Sequence, residues 1–144
     1  DVARKLLILA RELDLENEFT EATIQNLIPE KLRDSAADAF LGNLELLNEE
    51  YQTLKEEQKP NHVLRYIGEL SGDLSQNKGK LEVKLVSTPE TTPLGALKES
   101  DVIFEIYTAS YGEQPIVIQG AGAGASVTAR GVFGDILRLA KHNN

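Results

Sequence analysis

Four strand-like stretches lie in succession between amphipathic helices, and this order constrains the fold more than any other feature of the chain. In "KLEVKLV" (80–86), Leu81, Val83 and Leu85 alternate with Glu82 and Lys84. Period two puts the first set on one face of a sheet and the second on the other. "HVLRYIGEL" (62–70) precedes it across the polar, glycine-containing "SGDLSQNKG", which reads as a hairpin. "VIFEIYTAS" (102–110) and "PIVIQ" (115–119) form a second pair around a turn at Tyr111-Gly112-Glu113-Gln114. Strands in hairpin order favour an α+β fold: a largely antiparallel or mixed sheet of about four or more strands, with helices packed on one face.

Helical periodicity brackets the strands. Val2, Leu6, Leu9 and Leu13, with Ala3, Leu7 and Ala10 beside them, predict an amphipathic helix over 2–13. "DLENEFTE" is acid-rich and reads as a solvated loop, and "IQNLIPEKL" as a strand or extended segment broken at Pro29. Ser35 and Asp38 resemble a capping box. Beyond them Ala37, Phe40, Leu44, Leu47, Tyr51 and Leu54 step by threes and fours, predicting one long helix over 35–58 closed by Pro60. Glu45, Glu49, Glu50, Glu56 and Glu57 form its wet face. Thr92-Pro93 reads as the start of a short helix near 94–98, and the last helix runs over about 126–141.

A length of 144 residues fits a single domain over 1–144. With 15 Lys+Arg against 23 Asp+Glu, the net charge of −8 repels phosphate backbones and argues against nucleic-acid binding. The absence of cysteine removes disulfides and thiolate sites. His62 and His142 have no metal-ligand spacing, so no metal site is expected. No apolar stretch approaches the ~20 residues of a membrane span. The chain opens on Asp1, contains no methionine and enters a helical pattern at once, so it reads as a fragment of a longer protein.

Two motifs carry candidate chemistry. In "QGAGAGASVTARGVFGD" (119–135), Gly120, Gly122 and Ala125 have the G-x-G-x-x-A spacing of a dinucleotide fingerprint. A true fingerprint opens a βαβ unit, with an acidic residue about 20 positions on, at the end of the next strand. Here a strand precedes the glycines but none follows the helix, so no Rossmann unit is expected. Two readings stay open for the turn. It is a tight strand-to-helix connection, or it brings a ligand close to the backbone beside a helix N-terminus. In "DVARK" (1–5), Asp1 and Lys5 are four apart. At about 100° per residue they point within roughly 40° of each other, with Glu12 two turns further in the same direction. The pair is an ordinary i,i+4 ion pair at a helix start, or a general acid/base pair in which a carboxylate fixes an ammonium.

Together, "DVARKLLILARE" (1–12), "VLRYIG" (63–68) and "QGAGAGASVTARGVFGDILRLA" (119–140) resemble the C-terminal part of homoserine dehydrogenase. They are most similar to the dehydrogenase half of bifunctional aspartokinase–homoserine dehydrogenases. The resemblance implies a cytoplasmic enzyme of threonine and methionine biosynthesis. It would interconvert L-aspartate 4-semialdehyde and L-homoserine with NADP or NAD. It also implies that Asp1 binds the substrate amino group, that Lys5 is the proton donor, and that Gly124 approaches the nicotinamide end of the cofactor. The family's nucleotide-binding domain, a further substrate-binding glutamate and its monovalent-cation ligands would lie upstream. The fragment alone would then be inactive, and would form a homodimer through its sheet. The competing readings are a regulatory small-molecule-binding module of the ACT type and a purely structural dimerisation domain. The first runs β-α-β-β-α-β, unlike the helix-first order here.

Overall fold

The computed structural model describes residues 1–142. The chain divides into two compact units, Asp1–Pro89 and Glu90–Asn144, each with its own sheet. The architecture is α+β, but the one sheet expected from the hairpin order is two. The segment between them, residues 90–100, holds turns where a short helix was expected near 94–98.

The first unit begins with α1, Val2–Glu12. Its sheet has the order β1-β3-β2. The outer strand β2, His62–Ser71, pairs antiparallel with the central strand β3, Lys80–Pro89, with Tyr66 opposite Leu85 and Gly68 opposite Val83. The two-residue β1, Thr23–Ile24, adds parallel to β3 on the other side. Of the stretch at 24–32 expected as strand or extended, only Ile24 is in a strand, and Glu30–Leu32 forms a single 3-10 turn. Gln25 continues the pairing, with its amide donating to the Val83 carbonyl at 2.8 Å and its side-chain oxygen accepting from the Leu85 amide at 2.8 Å.

The core is the seat of α1 on this sheet. Ala3, Leu6 and Ala10 of the helix, and Leu15 beyond it, are buried with Leu81 and Val83. Burying each large apolar side chain contributes roughly 1.5–3 kcal/mol. The helix uses its small-residue side, since Ala3 and Ala10 let it approach the strands closely. Leu9 and Leu13, expected on the buried stripe, are 41% and 55% exposed. Just past the C-cap Leu13, Asp14 has a left-handed φ of 58°. The Leu15 amide reaches back to the Ala10 carbonyl at 3.0 Å and the Asp14 amide to Arg11 at 3.0 Å. This is a Schellman closure, and it drops Leu15 into the core.

The acid-rich loop that follows is not simply solvated. Asn17 is 3% exposed. Its side chain donates to the Gly79 carbonyl and accepts from the Gly79 amide, both at 2.8 Å. Arg11 donates to the Asn17 carbonyl through Nε and Nη2 at 3.1 and 2.9 Å. The end of α1 is thereby tied to the start of β3. A capping box does form, but at Glu18 and Glu21 rather than at Ser35 and Asp38. The expected helix over 35–58 is two helices, α2 at Ala37–Gly42 and α3 at Glu45–Glu56, broken at Asn43. Asn43 Nδ2 donates to the Ala39 carbonyl at 2.7 Å, the local side-chain competition that disfavours asparagine inside helices. Glu45, Glu49, Glu50 and Glu56 are exposed, while Leu47, Tyr51 and Leu54 are half-buried.

The sheet face opposite α1 is charged. Glu69 and Glu82 sit directly across from one another, a repulsive cross-strand pair if left alone. Lys84 Nζ bridges them, 2.7 Å from Glu69 Oε2 and 3.3 Å from Glu82 Oε2, and Lys80 reaches Glu82 at 2.9 Å. Hydrogen bonds from Lys80 and then Lys84 hold the Glu82 carboxyl below its ordinary range. A lowered carboxyl pKa means stability that is full above the unfolded value of 4.5 and is lost as pH falls through the folded one. Lys84→Met should therefore destabilise most near pH 7, where two carboxylates face each other unbridged. The deficit should shrink below pH 4.5. Urea midpoints of both proteins at pH 7 and pH 3 check this; an equal deficit at both would show that the bridge is not what joins these strands.

Candidate functional site

The pair expected at the head of α1 is formed. Lys5 Nζ lies 2.9 Å from Asp1 Oδ2, and the Lys5 amide donates to the Asp1 carbonyl at 3.1 Å. Asp1 occupies the N-cap position, yet its side chain makes no cap hydrogen bond. The carboxylate is committed to the lysine. Both side chains are about three-quarters exposed, 74% for Lys5 and 78% for Asp1. An exposed pair adds little to stability, so its geometry is better suited to presenting an ammonium than to holding the helix. Ile8, one turn on from Lys5, is 61% exposed on the same side of the helix. Arg4 is turned away toward Phe19, its guanidinium carbon 5.9 Å from the ring centroid.

The glycine turn belongs to the second unit. There β4, Asp101–Ile106, and β5, Ile116–Ala121, pair antiparallel with Phe104 opposite Ile118, and α4 follows at Ala125–His142. The turn between β5 and α4 is fastened at three points. The Gly122 amide donates to the Ser100 carbonyl at 3.0 Å, and the Ser100 hydroxyl to the Ala123 carbonyl at 3.3 Å. The Thr128 amide and hydroxyl both donate to the Gly124 carbonyl at 3.1 Å.

The glycines of this block differ in kind. A Cβ on Gly122 would meet the Val102 side chain, with Cγ2 at 2.8 Å and Cβ at 3.0 Å. Gly122 is thus a packing glycine, and Val102 is its reason. Gly124 has φ +116°, and nothing lies within 4 Å of where its Cβ would be. It combines a backbone that side chains disfavour with open space on its outer side. A flat ring can approach such a backbone closely, and the α4 N-terminus beside it offers amide donors and a partial positive charge. Gly120 also faces open space but has ordinary strand geometry. Sequence reading missed Ser100 and Val102 as parts of this turn, and Asn17 as the tie on α1. No spacing signal marks them, because each acts across a tertiary contact.

Two features of this α+β fold carry candidate chemistry: a lysine–carboxylate pair at the head of one helix and a left-handed glycine ahead of another. A family model described as homoserine dehydrogenase matches residues 1–137. The chain belongs to the homoserine dehydrogenase family. It is 39% identical over 144 residues to a bifunctional aspartokinase/homoserine dehydrogenase of Haemophilus influenzae, covering 99% of this chain and 17% of that one. It is 42% identical over 142 residues to a chloroplastic bifunctional relative from Arabidopsis thaliana, covering 97% and 15%. It is 39% identical over 142 residues to the homoserine dehydrogenase of Schizosaccharomyces pombe, covering 96% and 37%. A crystal structure of a Candida auris protein of unknown function is similar at a TM-score of 0.72 and 36% identity, covering 96% of this chain and 38% of that one. The chain therefore spans well under half the length of these relatives.

The glycines should respond to alanine in a graded way. Gly122→Ala should cost roughly 1–3 kcal/mol by overpacking, and Val102→Ala should relieve it. Gly124→Ala should cost about 1–2 kcal/mol from its positive φ alone, with no relief from Val102→Ala. Gly120→Ala should be close to neutral. Denaturant titration of the series checks the order, and equal losses at all three would refute the distinction.

Proposed function

We propose that the chain is part of an enzyme that interconverts L-aspartate 4-semialdehyde and L-homoserine with NADPH or NADH, on the route to threonine and methionine. Residues 1–144 act as one catalytic and dimerisation region of a longer, cytoplasmic protein whose nucleotide-binding domain lies outside them. The observation that carries this reading is the ion pair at the head of α1: an ammonium fixed by a carboxylate at 2.9 Å and presented to solvent, in a chain of the homoserine dehydrogenase family.

The chemistry follows from the groups present. A bound nicotinamide cofactor supplies the hydride. As the aldehyde carbonyl is reduced, its oxygen becomes an alkoxide and needs a proton. The Lys5 ammonium donates that proton and stabilises the developing charge beforehand. In the oxidative direction the neutral amine takes the proton back. Asp1 supplies the counter-charge for the substrate ammonium and holds Lys5 in place. Gly124 lets the nicotinamide end lie against the chain, for which its open side and left-handed backbone are suited.

The enzyme is a homodimer joined through the second sheet. Support comes from Val102, Phe104, Ile106, Ile116 and Ile118, which the strand register puts on one face. All five are 40–56% exposed. A contiguous apolar face of this kind marks an interaction surface, and a two-fold axis lets the same face meet itself.

In the longer enzyme, Lys5→Ala should lower kcat by at least ~10²-fold with little change in KM, the scale of one general acid. Asp1→Ala should chiefly raise KM for homoserine. Gly124→Val should weaken cofactor use, because a β-branched side chain occupies the space the ring needs. Steady-state kinetics of the three variants test the reading, and wild-type kcat in Lys5→Ala would refute the assignment of the proton donor. Light scattering at micromolar concentration should give twice the monomer mass. A clean monomer would remove the dimerisation role.

A further inference from the structure

The block "VLRYIG" (63–68) ends on a glycine in the middle of β2, where glycine is a poor choice. A glycine inside a strand loses more backbone entropy than other residues and packs no side chain. The reason at Gly68 is steric. A Cβ there would lie 3.3 Å from Val2 Cγ1 and 3.6 Å from both methyl carbons of Leu6. Val2 follows Asp1 in the chain, and Leu6 follows Lys5. The two side chains resting on Gly68 are thus the immediate neighbours of the two members of the ion pair.

Neither neighbour yields easily. Val2 is β-branched, with essentially one χ1 rotamer in a helix. Leu6 is 7% exposed and belongs to the buried cluster. The strand beneath is also fixed, because Gly68 pairs with Val83, which is 2% exposed on the central strand. An added methyl group would be accommodated by raising the first two turns of α1, and with them Asp1 and Lys5.

We propose that Gly68 is a positioning residue for the Asp1–Lys5 pair: its missing side chain sets the height of the first two turns of α1 above β2, and so the reach of Lys5 Nζ. The proposal rests on Lys5 being the proton donor. Proton transfer is made over hydrogen-bond distance, and a 1 Å misplacement costs about 10²-fold in rate, so a shift of a few tenths of an ångström should cost about ten-fold or less.

The test uses Gly68→Ala, Val2→Ala, the double variant and Lys5→Ala in the longer enzyme, with rates normalised to folded active sites. Gly68→Ala should lower kcat by a few-fold to about ten-fold and leave the cofactor KM unchanged. Val2→Ala alone should stay near wild type, and the double variant should regain most of the rate. A merely structural role would lower the melting temperature and the folded fraction without moving kcat per site. Should Gly68→Ala not fold, Val2→Ile adds a methyl on the helix side of the same contact and should lower kcat in the same direction. Wild-type kcat in whichever of these two is measured overturns the proposal. So does a loss in Gly68→Ala that Val2→Ala fails to relieve. In either case an inactive Lys5→Ala leaves the proton-donor reading standing. Wild-type kcat in Lys5→Ala removes both.

Discussion

Leu6 shares one buried cluster with Leu81 and Val83, and the rest of the first unit is arranged around keeping it there. The contact is made on the helix side where alanines flank the leucine, so the helix lies low on the strands. Its end is then fixed twice: by the Schellman closure that buries Leu15, and by the chain of hydrogen bonds from Arg11 through Asn17 to Gly79. A helix seated this firmly presents its opposite side as a rigid surface, and Asp1 and Lys5 are on that side. Preorganisation here is a consequence of apolar packing a few ångströms below. The polar pair itself supplies little of the energy that holds it.

How much of this was legible in the sequence varies with the range of the interaction responsible. The alternation of Leu81 and Val83 with Glu82 and Lys84 is a local pattern, and the buried and charged faces of β3 follow it. The two hairpins, α1 and α4 are likewise where periodicity put them. The Asp1–Lys5 pair was legible because helix geometry alone decides it. Missed features depend on contacts between distant parts of the chain. Leu9 continues the leucine repeat, but the close approach through Ala3 and Ala10 rotates the buried stripe away from it, and Leu13 falls at the C-cap, where the helix has already ended. Asn17 lies among acids and looks solvated, but Gly79, far along the chain, meets it. The apolar steps of the 35–58 stretch pass over Gly42 and Asn43 without a gap, and hydrophobic periodicity does not register a backbone break.

The division into two sheets is the largest departure, and it has a readable cause in hindsight. The second pair of strands offers apolar residues at successive positions, as in Val102-Ile103-Phe104 and Ile116-Val117-Ile118. Such runs belong to strands covered on both faces. The first pair, with charges on one face, does not need that covering. Within the second unit Val102, Phe104 and Ile106 remain about half exposed, as do Phe133, Ile136 and Leu137 of α4. The two units thus handle their sheets by opposite means. One neutralises its outer face with the lysine bridge between Glu69 and Glu82, and the other leaves apolar surface uncovered.

The glycine block shows why spacing is a weak guide to chemistry when the surrounding elements differ. Gly120, Gly122 and Ala125 satisfy the dinucleotide regular pattern, yet no two of them are there for a shared reason. Gly120 is an ordinary strand residue, Gly122 makes room for Val102, and Ala125 opens α4. The position that combines a left-handed backbone with open space beside it is Gly124, which the fingerprint spacing skips. Its left-handed φ and empty outer side are properties of the turn, fixed by the bonds that Thr128 donates to its carbonyl, the bond that Gly122 donates to the Ser100 carbonyl and the bond that the Ser100 hydroxyl donates to Ala123. The positive φ alone accounts for a glycine in this turn; the open space beside it is what the proposed cofactor contact would use. Gly68, by contrast, faces a filled space. Its explanation is the helix above it, and that helix carries the Asp1–Lys5 pair at its head.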